Sequence, residues 1–235
     1  MKNLTTILCL TLTLLIGSIG NSESADFQKG LTADQSGDFE TALREWKPLA
    51  KQGHAKSQYN LGVMYRDGQG VTQDYKTAVE WFRLAAKQEF ASAQFILGLM
   101  YAIGQGVPKD YKTAVKWFRL AAKQGHAKSQ YNLGVMYQKG QGVPQDYKTA
   151  VKWYRLAAKQ GHALSQGKLS AIYALGQGVI KDWVYAHMWG NIAVSIGGKD
   201  KGKVRDFVEK KMTPAQIAEA QKLARECVRK KYKGC

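Results

Sequence analysis

Cysteine, acidic side chains and long apolar runs are all scarce in this sequence. Its 235 residues include three cysteines, and no spacing of cysteine and histidine is typical of a zinc site. We therefore predict neither a metal nor a cofactor. Outside residues 4–19 no stretch is apolar enough to cross a membrane. Aspartate and glutamate number 18 against 35 lysines and arginines, so the formal net charge of +17 at pH 7 favours anionic partners.

The one apolar run has the pattern of a secretory signal peptide. Lys2 precedes it, and the small residues Ser22, Ser24 and Ala25 follow it. We expect cleavage between about Ser22 and Ala25, which predicts a periplasmic or secreted protein without a membrane span in the mature chain. An uncleaved anchor helix is the alternative, but the run is shorter than the roughly 20 residues that span a bilayer.

Export changes what the cysteines can do. Cys9 leaves with the signal peptide, so Cys227 and Cys235 remain as a pair in an oxidising compartment. An even pair there favours a disulfide, with two unpaired thiols as the alternative. The chain must fold back between them to bring their Cα atoms within about 7 Å.

The rest of the chain repeats itself every 36 residues. YNLGVMY occurs at 59–65 and again at 131–137, and FILGLMY stands midway at 95–101. A unit of this length buries its apolar face by stacking on copies of itself. After the signal peptide (1–24) we predict a capping hairpin (25–52), three repeats (53–88, 89–124 and 125–160), a degenerate repeat (161–196) and a C-terminal helical cap (197–235).

Each repeat reads as two helices. In the second helix, apolar residues recur at the spacing that gathers them on one face, as in Ala114, Trp117, Phe118, Ala121 and Ala122. Glycines such as Gly140 end the first helix, and an aspartate such as Asp146 caps the next. The predicted fold class is therefore all-α: a superhelical α/α solenoid of stacked helix-turn-helix repeats, with a capping helix after Thr213 and Pro214.

These positions carry a family resemblance. The pattern of alanine, then LGxMY, then GxGVPxDYxxAVxWxRxAAxQG resembles the Sel-one-like repeat, a longer relative of the tetratricopeptide repeat, over residues 53–196. The resemblance implies a superhelix that binds proteins or presents a concave surface to a ligand, and it carries over no catalytic residue. Gly167 and Ser170 depart from the pattern in the last repeat.

Lysines and arginines form a stripe along the outer side of the second helices. Stacked repeats would align these stripes into a basic face, which attracts anionic partners. The alternative is a solvated surface that keeps a secreted protein in solution. The predicted basic face comprises Lys112, Lys116, Arg119, Lys123, Lys148, Lys152, Arg155 and Lys159.

The first helices supply a second candidate surface, opposite to their packing face. By analogy with related solenoids it lines a concave groove. Ile96 and Ile103 replace polar residues of the flanking repeats, so we expect an exposed apolar patch there. For Leu99 the alternative is packing between neighbouring helices. The candidate groove residues are Asn60, Ile96, Leu99, Ile103, Asn132, Lys139 and Lys168.

Two functions of different classes remain. The first is an exported, non-enzymatic scaffold that binds a protein or an anionic envelope component through the groove and the basic face. Nucleic acid is not expected as a partner of an exported protein without a nucleic-acid motif. The second is a cell-envelope hydrolase, suggested by Ser165 and Lys168 in an SxxK pattern, although the companion SDN and KTG motifs are absent.

Histidine recurs in the repeat frame. Because catalytic sites are seldom copied several times, we predict a helix-start role for His54, His126 and His162, and no catalytic residue.

Overall fold

The computed structural model describes residues 27–196 and 202–235, and within these ranges the chain forms helices, turns and loops without a strand. The predicted signal peptide and its cleavage region lie outside them. The helices are α1 (27–35), α2 (Phe39–Lys51), α3 (Ala55–Asp67), α4 (Tyr75–Lys87), α5 (Ala91–Ile103), α6 (Tyr111–Lys123), α7 (Ala127–Lys139), α8 (Tyr147–Ala158), α9 (Ala163–Leu175), α10 (Trp183–Ser195), α11 (Gly202–Glu209) and α12 (Pro214–Arg229). The all-α prediction is confirmed.

The chain divides into two compact units. Unit 1 runs to Ala93 and includes Gln105–Pro108, and unit 2 comprises Gln94–Gly104 and Lys109–Cys235. In unit 1, α2 packs on α3 and α3 on α4. Its core includes the fully buried rings of Trp46 and Phe82. The indole of Trp46 lies against Gly30 and donates from Nε1 to the carbonyl oxygen of Phe27 at 3.3 Å.

In unit 2 the helices pack in sequence order, each of α6 to α9 on the helix that follows it. The hairpin α7–α8 illustrates how the sequence achieves this. Gly134 on α7 lies under the ring of Tyr154 on α8, and a Cβ at that glycine would lie 2.5 Å from the ring atom Cε1. The absent side chain therefore lets the two helices approach, which is why a residue unfavourable in helices stands there.

The helix ends follow the sequence as predicted. Asp146 accepts from the backbone N–H of Thr149 at the start of α8, and equivalent aspartates cap α4, α6 and α10. Gly140 ends α7 with φ of 68°, a left-handed conformation that glycine adopts without a steric penalty. The same two signals in each repeat give hairpins of one length.

After the repeats, α11 and α12 both pack on α10. Thr213 and Gln216 form the predicted capping box at the start of α12, with Pro214 at its first position. Ala220, Ala224 and Cys227 form the buried stripe of this helix. In the structure Cys227 is bonded to Cys235, and their Cα atoms are 5.6 Å apart.

Candidate interaction surfaces

The predicted basic face lies within unit 2, on α6 and α8. Seven of its eight residues are exposed, and Arg119 is half-buried. The side chains of its six lysines form no ion pair or hydrogen bond within the described part of the chain. These six are Lys112, Lys116, Lys123, Lys148, Lys152 and Lys159.

The two arginines of the stripe have a packing role that the sequence did not indicate. Arg119 on α6 donates from Nη2 to the hydroxyl of Tyr137 on α7 at 3.0 Å. Arg155 on α8 donates in the same way to Tyr173 on α9, and its guanidinium lies 5.8 Å from the centre of that ring. Both arginines thus link successive hairpins, so the lysines supply the freely accessible positive charge.

Alternating with the lysines is a row of partly exposed leucines. Leu120 on α6 and Leu156 on α8 are 46% and 47% exposed. The corresponding residue of α10, Ile192, is 1% exposed because α12 packs on this side of α10. The outer side of α6 and α8 is therefore amphipathic, with cations beside apolar side chains.

The candidate groove residues differ in how far they are accessible. Ile103 is 63% exposed at the end of α5, and Lys139 is exposed at the end of α7. Asn132 is half-buried and donates from Nδ2 to the backbone oxygen of Lys128 on its own helix. Asn60, Leu99 and Lys168 are also half-buried, and Asn60 belongs to unit 1.

The expected exposure of Ile96 is wrong. Only 9% of this residue is accessible. Since each residue of a helix turns by about 100°, Ile96 lies about 40° from the buried Met100 and about 60° from the buried Ala93. It therefore falls inside the buried arc of α5, whereas Ile103 escapes burial at the last residue of the helix.

The repeated histidines start helices, as predicted. The ring Nδ1 of His54, His126 and His162 accepts from the backbone N–H three residues further on, at the starts of α3, α7 and α9. Burial, and after it the charge of Lys128, lowers the pKa of His126. The neutral ring, whose nitrogen can accept a hydrogen bond, is thereby favoured.

The residues that suggested a hydrolase form no reactive centre. Ser165 is completely buried in the α9 cap, with its Oγ 3.0 Å from His162 Nδ1. A hydroxyl in that position cannot reach a substrate, and the same His–Ser pair occurs at Ser57 and Ser129. Among the described residues no group of histidine, cysteine, aspartate and glutamate could hold a metal ion, and no helix could span a membrane.

Sequence reasoning missed a groove in unit 2. It lies between α10 and α12 and has a volume of about 550 Å³. One signal could have indicated it: α10 has Val184, Met188 and Ser195 where α8 has lysines, so its outer side suits contact with another helix. The groove is lined by Asn191, Ile192, Ser195, Gln221, Ala224, Arg225, Val228 and Arg229.

Helical hairpins of one length, packed in sequence order within each unit and started by the same residues, define a repeat protein. A family model for the Sel1 repeat matches residues 55–90, 91–126, 127–162 and 163–195. The chain belongs to the Sel1 repeat family, which confirms the resemblance to the Sel-one-like repeat. The matched segments begin two residues after the repeat boundaries that we predicted from the sequence.

Two solved structures are similar to most of the chain. A protective antigen of uropathogenic Escherichia coli strains, which displays an SLR fold, is 32% identical with a TM-score of 0.79. The match covers 92% of this chain and 48% of that one, so this chain spans about half the length of the antigen. A Sel1 repeat protein from Oxalobacter formigenes is 30% identical with a TM-score of 0.73, covering 86% of this chain and 84% of the other.

No curated protein matches the chain. Sel1 repeat proteins are in general scaffolds for protein–protein interaction.

Proposed function

We propose that the protein is exported and acts as a non-enzymatic scaffold, which captures an acidic protein partner on the basic face of unit 2. The observation that carries this proposal is the set of six exposed lysines on α6, on α8 and at the end of α8, whose side chains form no ion pair or hydrogen bond within the described chain. Their recurrence at a step of 36 residues follows from the repeat, so the charge is spread over two helices instead of one point.

Charge and apolar contact act together on this face. Exposed lysines attract an acidic surface over roughly 8–10 Å at physiological salt and mainly accelerate its association. The half-exposed Leu120 and Leu156 offer apolar contact area beside them. An acidic protein that carries apolar side chains fits both features, whereas a purely polar anionic polymer of the envelope uses only the lysines.

The first helices contribute a second surface to the same proposal. Ile103 and Lys139 are exposed at equivalent positions of α5 and α7, and Leu175 at the same position of α9 is 66% exposed. An apolar residue, a cation and another apolar residue thus end three successive first helices. We assign partner contact to these ends and to Lys168, and leave the buried Ile96 out of it.

Export is supported by the order of Lys2, the apolar run at 4–19 and the small residues up to Ala25. The bonded Cys227 and Cys235 fit an oxidising compartment. Expression of the full chain in bacteria, followed by fractionation and N-terminal sequencing, tests this part. A chain that keeps its first 24 residues in the cytoplasm contradicts it.

The basic face is tested by reversing charge on both helices. A chain with Lys116→Glu and Lys152→Glu is compared with one carrying Lys210→Glu and Lys211→Glu, exposed residues between α11 and α12 with the same change in net charge. Each protein is crosslinked to cell-envelope extracts at low and physiological salt, and the captured proteins are identified by mass spectrometry.

We expect the first variant to lose about tenfold in capture of an acidic protein and the second to behave like the unmodified chain. Equal capture by both variants would show that the lysines only solvate the surface. If the loss concerns a polymer resistant to protease, the partner is an envelope component and not a protein.

A further inference from the structure

The groove between α10 and α12 has apolar residues in the middle and polar residues along both sides. Ile192, Ala224 and Val228 form its apolar floor. On the α10 side Asn191 and Ser195 stand one helical turn apart, and on the α12 side Gln221, Arg225 and Arg229 stand at successive turns. An apolar strip thus runs between a neutral polar rim and a cationic rim. Its volume of about 550 Å³ lies within the range of ligand-binding pockets.

Asn191 is held in one orientation by hydrogen bonds that centre on a buried histidine. His187, which is completely buried, lies with Nε2 3.0 Å from Glu209 Oε2 and with Nδ1 3.0 Å from Asn191 Nδ2. A carboxylate only accepts and an amide nitrogen only donates, so Nε2 donates to Glu209 and Nδ1 accepts from the amide nitrogen of Asn191. The amide oxygen of Asn191 is then left as an acceptor at the groove.

The cationic rim is free to bind an anion. Arg225 and Arg229 are exposed, and neither forms an ion pair or a side-chain hydrogen bond with another described residue. Guanidinium groups recognise carboxylates through two parallel hydrogen bonds, which fixes the direction of approach as well as the charge. The groove therefore offers an oriented acceptor on one side, carboxylate-binding donors on the other and apolar contact between them.

From this arrangement we propose that the α10–α12 groove binds an extended peptide segment of a partner protein, in which apolar and acidic side chains alternate. In an extended chain successive side chains point to opposite sides, so apolar residues reach the floor while acidic ones point to the mouth of the groove. There the long, exposed side chains of Arg225 and Arg229 meet them. A backbone N–H of the peptide donates to the amide oxygen of Asn191. This site is separate from the basic face and does not depend on the function proposed for it.

The network around Asn191 favours an extended peptide over other anionic occupants. A fatty-acid anion has a carboxylate and an apolar chain but no N–H group for the acceptor on the α10 rim. A peptide helix uses its backbone N–H groups internally. Of these three occupants, the extended peptide supplies all three kinds of contact from its backbone and its alternating side chains.

The test uses the protein, labelled with ¹⁵N, and an unlabelled hexapeptide of alternating leucine and glutamate with blocked termini. Binding is followed by ¹H–¹⁵N spectra of the labelled protein and by fluorescence polarisation of a labelled peptide. We expect saturable shifts at the lining residues of α10 and α12. Peptides with lysine for glutamate, or with serine for leucine, are expected to bind at least about tenfold more weakly.

Variants locate the contacts. Arg225→Glu with Arg229→Glu should weaken peptide binding about tenfold or more, whereas Lys210→Glu with Lys211→Glu, which has the same net charge, should not. Asn191→Ala should weaken it several-fold while leaving the preference for glutamate over lysine intact. Circular dichroism of each variant verifies that helix content is retained, and the shifts in the unmodified chain do not depend on any variant.

Three results would overturn the proposal. The first is an absence of shifts in the groove at about 1 mM peptide, a concentration that detects even weak complexes. The second is equal binding by the arginine variant and its matched control. The third is displacement of the peptide signal by palmitate together with equal binding of all three peptides, which would assign the groove to a lipid anion. The variant with Lys116→Glu and Lys152→Glu should bind the peptide normally, so failure on the basic face and failure in the groove are distinguishable.

Discussion

The internal hairpin α7–α8 and the terminal hairpin α9–α10 of unit 2 solve the same packing problem differently. In the first, Gly134 leaves room for the ring of Tyr154. In the second hairpin the equivalent positions lie 36 residues later. Ser170 replaces the glycine, and Gly190 replaces the tyrosine, so the aromatic ring is absent. Ser170 Oγ donates to the carbonyl oxygen of Ala186 on α10 at 2.7 Å.

The helix α11 occupies the place of the missing ring, which explains why glycine replaces tyrosine at position 190. A Cβ added to Gly190 would lie 2.9 Å from the Cβ of Arg205 on α11. The non-repeat helix α11 thus packs closely on α10 where a repeat hairpin would carry its aromatic side chain. The departures from the repeat pattern in the last hairpin therefore make room for the helix that covers it. The glycine at position 190 is needed because α11 and Ser170 both lie against it.

The largest effect is expected from removing the contact between ring and glycine in the internal hairpin. Tyr154→Ala should lower the free energy of unfolding by about 3–5 kcal/mol, because it removes a completely buried ring and leaves a cavity over Gly134. It also deletes the hydrogen bond that the Tyr154 hydroxyl donates to Gln138 Oε1 at 2.8 Å. Urea unfolding followed by circular dichroism measures this loss.

The matched change in the terminal hairpin is Gly190→Ala. It should lower the free energy of unfolding by about 1–2 kcal/mol, less than the loss of the ring. The added methyl group crowds the Cβ of Arg205, and the better helix propensity of alanine offsets only part of that strain. Equal losses in the two hairpins would contradict the idea that the ring-on-glycine contact is specific to internal repeats.

The second prediction concerns the covalent link of the terminal region, which the repeats lack. Opening the Cys227–Cys235 bond should lower the free energy of unfolding by about 2.5 kcal/mol, the loop-closure value for a ring of this size. The measurement is urea unfolding of the protein with and without reductant. Hydrogen exchange should accelerate first in α12, which carries Cys227.

The chain with Cys227→Ser and Cys235→Ser serves as the control and should not respond to reductant. A reductant effect of the same size in that variant would place the cause elsewhere, and no effect in the unmodified chain would mean that the thiols are unpaired in solution.

The sequence was sufficient to predict the features that recur in every repeat. Period, hairpin length and the capping roles of Asp146 and His126 follow from local rules that each repeat states again. The burial of Ile96 could not be predicted in the same way. It depends on where the buried face of α5 ends, and a shift of that edge by a few tens of degrees around the helix axis would expose the residue. The bonds of Arg119 and Arg155 to tyrosines 18 residues later were hidden too, since residue type alone indicates a solvated cation.

The terminal groove was out of reach for another reason. Its second wall, α12, lies outside the repeat, and no periodicity relates Arg225 to Asn191. The sequence predicted a capping helix after Thr213, and the loss of lysines on α10 is a further sign of a covering helix. Neither signal specifies which residues of that helix face the groove. Local rules predict single helices. A site between two helices that no repeat relates can be predicted only when it is known how the two helices pack.

The third prediction restores an internal feature to the terminal hairpin. Inside unit 2, Gln160 Nε2 donates to Gln130 Oε1 at 2.8 Å, and Gln124 binds Gln94 in the same way. The next pair is broken, because residue 196 is isoleucine and the buried Oε1 of Gln166 has no hydrogen-bond partner among the residues that the structure describes.

Ile196→Gln should therefore raise the free energy of unfolding by about 1 kcal/mol, since it satisfies a buried acceptor and removes an isoleucine that is 40% exposed. Ile196→Ala controls for loss of the apolar side chain. An equal gain in both variants, measured by urea unfolding, would show that removal of the exposed isoleucine is responsible and that the glutamine pair does not form.

The smallest effect concerns the helix caps. Thr149 donates from Oγ1 to Asp146 Oδ2 at 2.5 Å and from its backbone N–H to Oδ1 at 3.0 Å, and these bonds lower the pKa of Asp146. The terminal cap has a tyrosine in place of this threonine. Within the described ranges, Asp182 accepts only from the backbone N–H of Tyr185, at 3.0 Å. Thr149→Val should make the internal cap resemble the terminal one and raise the pKa of Asp146, which carboxyl NMR can follow.

A carboxyl whose pKa is lower in the folded state binds its proton more readily in the unfolded chain. Its contribution to stability is therefore complete above the ordinary aspartate value of about 4 and is lost as the pH falls through the lowered folded-state pKa. The unfolding temperature of the unmodified chain should thus exceed that of Thr149→Val at neutral pH, and the gap should close in acid. Thr72→Val, in an exposed loop, controls for the change of side chain. A gap that persists unchanged below the ordinary aspartate pKa would mean that the threonine stabilises α8 by packing and not through the charged cap.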